Sequence, residues 1–196
     1  MIEIVRDGYR RLGGKFDEWR NHIAGDPRRA WRELLASKLE PGARVLELGC
    51  GNGDDARALA LLDFEVTGVD LVARAEGVTV IEADFLEVQL PERSYEAVVS
   101  FYAFNHVPRE KLGPLLRKIH SWLVPGGALM AAFGTGDTEA WRGEWLGVPM
   151  FFSSYPPETN SRLVREAGFE VVRDEVVEFQ EPEGEVRFQW VLARSI

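Results

Sequence analysis

Val45-Leu46-Glu47-Leu48-Gly49-Cys50-Gly51-Asn52-Gly53 decides how this chain folds. Val45, Leu46 and Leu48 form a short apolar run, the pattern of a strand covered on both faces. Glycines at alternate positions follow, and then Ala56, Leu59, Ala60, Leu61 and Leu62 at helical spacing. Strand, tight glycine turn and helix together make the opening unit of a nucleotide-binding α/β fold. Glycine is required there because the turn demands positive φ and because a ligand must approach bare backbone amides. The helix start then offers unpaired N–H groups.

Upstream, Glu40-Pro41-Gly42 is the turn that delivers the chain into this strand. A helix is expected from Asp26-Pro27 to Leu39, with Ala30, Trp31, Leu34, Leu35 and Leu39 at helical spacing. Residues 1–40 read as a helical cap, broken at Gly13-Gly14 and mixing aromatic with basic residues. Downstream, the helix over 54–62 leads to strands at Phe64–Asp70, Gly77–Asp84 and Ser94–Phe101. A helix from Leu112 to Leu123 closes at Pro125-Gly126-Gly127, and Ala128–Phe133 is the next strand. Residues 134–155 are rich in glycine and aromatics without periodicity, and read as a lid or substrate loop. Pro156-Pro157-Glu158 opens a helix that ends at Ala167-Gly168. Strands at Glu170–Phe179 and Val186–Ala193 are joined by a short polar link, which implies an antiparallel hairpin. The expected fold is α/β: one domain over 1–196, with a doubly wound, mostly parallel seven-stranded sheet and a C-terminal antiparallel hairpin. In such sheets ligands bind outside the C-terminal strand edges, where the glycine turn, Asp70, Asp84 and Ser100-Phe101 gather.

Composition narrows the function. The chain has 196 residues, is 45% hydrophobic and 28% charged, and carries a formal net charge of -9. An acidic chain with scattered arginines lacks the basic footprint of a nucleic-acid or anionic-membrane binder. Cys50 is the single cysteine, so no intramolecular disulfide or thiolate metal cluster can form and no metal site is expected. The N-terminus lacks a signal-peptide pattern, and no apolar run approaches the roughly 20 residues of a membrane span. A cytoplasmic protein, monomeric or homodimeric, is expected.

The ordered set of segments resembles the class I S-adenosylmethionine (SAM) dependent methyltransferases over roughly residues 40–196. Val45–Gly53 is similar to their motif I, and Gly68-Val69-Asp70 to the acidic end of their second strand. Ala83-Asp84-Phe85 is similar to the loop beside adenine, and Tyr95–Ser100 to strand four. Trp122–Gly127 is similar to the turn before strand five, and Glu166–Val171 to the entry of strand six. A dinucleotide-binding G-x-G-x-x-G would need glycine where Asp54 stands, and an acid at Glu47 would repel a pyrophosphate.

The resemblance implies SAM as cofactor and a small-molecule methyl acceptor. It implies that Gly49, Cys50, Gly51 and Gly53 lie against the methionine part of SAM and that Glu47 positions its ammonium group. It further implies that Asp70, with Leu71 beside it, takes the ribose hydroxyls and that Asp84 and the Phe85 amide meet adenine. Ser100 and Phe101 would supply carbonyls and a wall. Only Leu71–Gly77 separates Asp70 from the next strand, where the family carries a full helix; about two turns fit at most. The adenine side is therefore expected to be open, or completed by another segment. His106 follows strand four, where family members place residues near the transferred methyl, and is the candidate general base or a loop anchor. Tyr9, Tyr102, Trp141, Trp145, Phe151 and Tyr155 are the expected acceptor pocket or, alternatively, a satellite hydrophobic cluster or dimer contact. The competing readings are a non-catalytic SAM-binding module and an NAD(P)-dependent oxidoreductase.

Overall fold

The central strand β1 (Arg44–Leu48) is covered on both faces, and Val45, Leu46 and Leu48 are fully buried. It pairs in parallel with β2 (Glu65–Asp70) on one side and β4 (Tyr95–Ser100) on the other. The computed structural model describes residues 1–72 and 75–196. Adding β3 (Thr79–Glu82), β5 (Leu123–Gly134), β8 (Phe169–Glu181) and β9 (Gly184–Ser195) gives a seven-stranded sheet of order β3-β2-β1-β4-β5-β9-β8. The first five strands are parallel, and β9 and β8 close the sheet antiparallel, as the sequence predicts.

The helices pack as their apolar spacing dictates. On α5 (Arg109–Trp122), Leu112, Leu115, Leu116, Ile119 and Trp122 are buried, and they join β1, β4 and β5 in the core on one sheet face. The core on the other face takes Trp31 and Leu35 of α3 (Arg28–Ala36) and Leu59 of α4 (Asp54–Ala60), with Trp190 behind them. Burying such side chains contributes about 1.5–3 kcal/mol each, which makes the sheet the rigid base of the molecule. α6 (Pro157–Glu166) leads into β8. No helix among the described residues is long and apolar enough to cross a membrane.

Two expectations change. Pro125-Gly126-Gly127 lies within β5, at a register shift between Tyr95 and Ala97 of β4, and α5 ends before it. Residues 134–155 are not an irregular loop: β6 (Thr138–Trp145) and β7 (Val148–Ser154) form a separate antiparallel hairpin. Its two-residue turn, Leu146-Gly147, has φ of 52° and 81°, the positive pair that suits a tight hairpin. The cap is helical and breaks at Gly13. α1 (Ile2–Leu12) packs on β7, with Val5 and Leu12 against Val148, Met150 and Phe151. The approach is close: a Cβ on Gly8 would stand 2.8 Å from the Met150 methyl and 2.9 Å from the Pro149 carbonyl. α2 (Gly14–Arg20) follows the break at Gly13 and turns back over the glycine turn. Between β2 and β3 the described residues carry no helix, and part of that segment lies outside them.

Candidate active site

The C-terminal ends of β1, β2 and β4 open into a cavity. Glu47, Gly49, Cys50 and Gly51 form its floor, with Asp70, Leu71 and Val72 on one side and Phe101, Tyr102 and Ala103 on the other. The cap completes the wall: Ile2 and Val5 of α1 meet Leu71, Val72, Phe85 and Leu86. Of the two outcomes expected beside the short segment after Asp70, an open side or completion by another segment, the second is found, from a segment some 70 positions earlier in sequence.

Glu47 is only 2% exposed, yet its Oε2 has no hydrogen-bond partner among the described residues. Burial raises its pKa well above the ordinary carboxylate value, Asp55 and Asp70 push the same way, and Arg20 and Arg28 pull it back. A buried, unpartnered carboxyl is costly, and it calls for a donor from outside the chain. Gly49 has φ of 78° and sits so close to Ala103 that any side chain would collide with it. Asp70 accepts the Gly51 N–H at Oδ2 and the Val72 N–H at Oδ1, both at 2.8 Å. Cys50 packs against Gly68, and burial pushes its thiol pKa up, so it is a packed side chain and a poor nucleophile.

Two arginines of the cap, absent from the expected site, also line the cavity. Arg20 reaches Asp54 and lies 3.3 Å from the Asn52 side-chain oxygen, while Asn52 donates to Asp17 at 2.9 Å. Arg28 donates to Asp26 at 2.7 Å and to Asp55 at 3.0 Å, and Arg32 also reaches Asp55. Burial works against the Arg28 charge, but Asp55 and Asp26 overcome it and raise its pKa. These pairs clasp the cap onto the glycine turn. The basic-aromatic mixture of residues 1–40 was the sequence signal for this role.

A second cavity adjoins the first. Tyr9, Phe16, Arg20, Arg28, Tyr102 and His106 line both. At this junction the Phe151 carbonyl lies 2.8 Å from His106 Nδ1; a carbonyl only accepts, so Nδ1 carries the proton. His106 Nε2 therefore accepts the Tyr9 hydroxyl at 2.9 Å. Burial lowers the His106 pKa to about 4, so the ring is neutral at pH 7. Burial, with the charges of Asp70 and Glu181, raises the Tyr9 pKa, so its hydroxyl keeps its proton.

Of the other expected site residues, several stand outside both cavities. Asp84 does not line the first: its carboxylate takes the Leu86 amide at 2.8 Å and forms a turn, leaving Phe85 and Leu86 as the wall. Gly53 precedes α4 with φ of 82°, and Ser100 ties β4 to the Leu48 carbonyl at 3.0 Å. Phe151 is fully buried under α1, so its side chain holds the hairpin while its carbonyl holds His106. Trp141 is 41% exposed against Phe152, and Tyr155 lies under the Arg109 guanidinium. Trp145 does reach the second cavity with Phe16, Trp19 and Phe152, and Phe188 and Glu181 join them unforeseen.

The comparisons with known proteins agree with this geometry. A family model described as a methyltransferase domain matches residues 16–174, and the chain belongs to that family. A ubiquinone biosynthesis O-methyltransferase of Xanthomonas axonopodis pv. citri is 32% identical over 111 residues, 50% of this chain and 46% of that protein. The sterol 24-C-methyltransferase erg6 of Aspergillus fumigatus is 26% identical over 145 residues, 66% of this chain and 35% of its own length. The chain thus spans less than half the length of these two curated relatives. Among solved structures, the 1,6-didemethyltoxoflavin-N1-methyltransferase of Burkholderia thailandensis, bound to 1,6-didemethyltoxoflavin and S-adenosylhomocysteine, superposes with a TM-score of 0.81. It is 20% identical, and the match covers 99% of this chain and 88% of that one. The class I methyltransferase fold read from the motifs stands, and the dinucleotide reading falls.

Proposed function

We propose that this chain is a methyltransferase enzyme that takes SAM in the first cavity and a small-molecule acceptor in the second. The observation that carries the reading is Glu47, a buried carboxyl with an unpartnered oxygen on the floor of a glycine-lined cavity. The residues present fit an amino-acid head group. Glu47 would take its ammonium, Arg20 and Arg28 would face its carboxylate, and Asp70, at the end of β2, would accept from ribose hydroxyls. When bound, SAM supplies an electrophilic methyl group on a sulfonium sulfur.

The chain's own contribution is positional. The cap and the β6–β7 hairpin exclude water above the junction of the two cavities, where orientation alone supplies much of a methyl-transfer rate. His106 holds the Tyr9 hydroxyl, and the Tyr9 oxygen keeps lone pairs that accept a hydrogen bond from the acceptor. With its pKa lowered and its Nε2 occupied, His106 serves as a positioning residue better than as a general base. A cytoplasmic setting accords with the acidic charge and the single, buried cysteine.

Calorimetric titration with SAM and S-adenosylhomocysteine tests the reading. Both should bind the folded chain, and Asp70→Ala should weaken both by about thirtyfold, the loss of hydrogen bonds to a charged group. No binding at millimolar ligand would overturn the proposal, and an unchanged Asp70→Ala affinity would remove Asp70 from the site.

A further inference from the structure

The second cavity is walled mostly by aromatic rings, with few polar groups among them. Trp145 is its hub: its ring stands at 78° to Trp19, 86° to Phe152 and 69° to Tyr9, with centroids 5.3, 5.6 and 6.3 Å away. Such an arrangement presents both faces and edges of aromatic rings, which suits a flat π-system or a cation. Polar groups are few, so those present decide which ligand is accepted.

The charges are unequal. Arg20 and Arg28 line the cavity, but Asp54 holds the first, and Asp26 and Asp55 hold the second. Glu181 also lines it, at the tip of β8, and has no ion pair among the described residues. Burial, with Glu183 and Asp26 nearby, raises its pKa to about 7. The neighbouring Glu183 is itself occupied, accepting Trp19 Nε1–H at 2.8 and 2.9 Å. A main-chain bridge between Ala24 and Gln180 fixes the β8 tip to the cap, so the carboxyl is held in place. Among the described residues the lining carboxyl without an ion pair is Glu181, which is charged above about pH 7, and both lining arginines are held by aspartates. A molecule carrying N–H donors finds an acceptor carboxylate there.

We propose that this chamber selects flat aromatic or heteroaromatic amines as the methyl acceptor, with the ring against Trp145 and Phe152 and an N–H donated to Glu181. The assignment rests on the methyltransferase reading, because it takes the neighbouring cavity as the cofactor site.

Three bicyclic probes of similar size test it on the full chain saturated with S-adenosylhomocysteine: 4-aminoquinoline, 2-naphthol and 2-naphthoate. Quenching of tryptophan fluorescence reports occupancy, since Trp19 and Trp145 line the chamber. 4-Aminoquinoline should bind tightest and 2-naphthoate weakest. Glu181→Gln should weaken 4-aminoquinoline about tenfold, the loss of a charge-assisted hydrogen bond, and leave S-adenosylhomocysteine affinity unchanged. Trp145→Leu should weaken all three probes together, which keeps the test open should the Glu181 variant misfold. Equal or tighter binding of 2-naphthoate or 2-naphthol, or a Glu181→Gln protein that binds 4-aminoquinoline as before, would overturn the proposal. Failure of the wild-type chain to bind S-adenosylhomocysteine would instead overturn the methyltransferase reading beneath it.

Discussion

The two cavities share a wall and are built by opposite means. The first is floored by backbone and short side chains at the ends of three adjacent parallel strands, with Glu47 and Asp70 among its polar groups. The second is made of large rings from α1, α2, the β6–β7 hairpin and the β8–β9 tip. The first is held by the sheet ladder and the second by packing between separate elements. The difference teaches that one half of the site is a property of the fold and the other half a property of what has been laid over it.

The largest expected effect tests that division. Phe151 is fully buried between the hairpin and α1. Phe151→Ala should cost about 3–5 kcal/mol of stability in denaturant unfolding. If the halves are separable, the folded fraction should still bind S-adenosylhomocysteine while losing the bicyclic probes. Parallel loss of both ligands would show the hairpin to be part of the cofactor site.

A smaller effect sharpens the comparison at the junction. The folded-state pKa of His106 lies near 4, below its ordinary value. Between those values the unfolded chain binds more protons than the native one, so stability rises with pH through the window. His106 therefore contributes nothing unfavourable above about pH 6.5, and about 3 kcal/mol should be lost as pH falls towards 4. Urea melts of wild type and His106→Gln from pH 4 to pH 7 measure this. The variant's stability should vary less with pH across that range, and identical slopes would mean that His106 titrates normally.

The smallest effect belongs to the cofactor side. The folded-state pKa of Glu47 is raised, so the unfolded chain binds fewer protons and the unliganded protein loses stability as pH rises through the ordinary carboxylate range and beyond. An ammonium group placed beside Glu47 favours its charged form and should expel a fraction of a proton on binding. Calorimetry of SAM binding in buffers of differing ionisation enthalpy should show this release in wild type and none in Glu47→Gln. Equal release in both proteins would assign it to another group.

What was legible in the sequence follows the same line. Glu47, the glycines and Asp70 could be read because each lies at a strand end whose register is set by its own apolar run. Asp84 was harder to read because an aspartate after a strand serves a turn as readily as a ligand, and here it accepts the Leu86 amide. The β6–β7 hairpin was illegible because Leu146-Gly147 is a weak turn signal and Trp141, Arg142 and Glu144 follow no alternation of apolar and polar. Arg20 and Arg28 went unnoticed because their partners, Asp54 and Asp55, lie beyond the first strand.

The sequence by itself determined the parallel sheet, its antiparallel close and the polar floor of the cofactor cavity. Those features depend on period, turn chemistry and residues within one strand-turn-helix unit, all of which are local. Only the tertiary structure decided that α1 completes the cavity wall beside Leu71 and Phe85, that Tyr9 meets His106 across 97 positions, and that Glu181 lines an aromatic chamber with no ion pair among the described residues. Long-range packing of rings carries no periodic signature, since any large apolar side chain satisfies a core, and which ones face a cavity is settled when the elements dock.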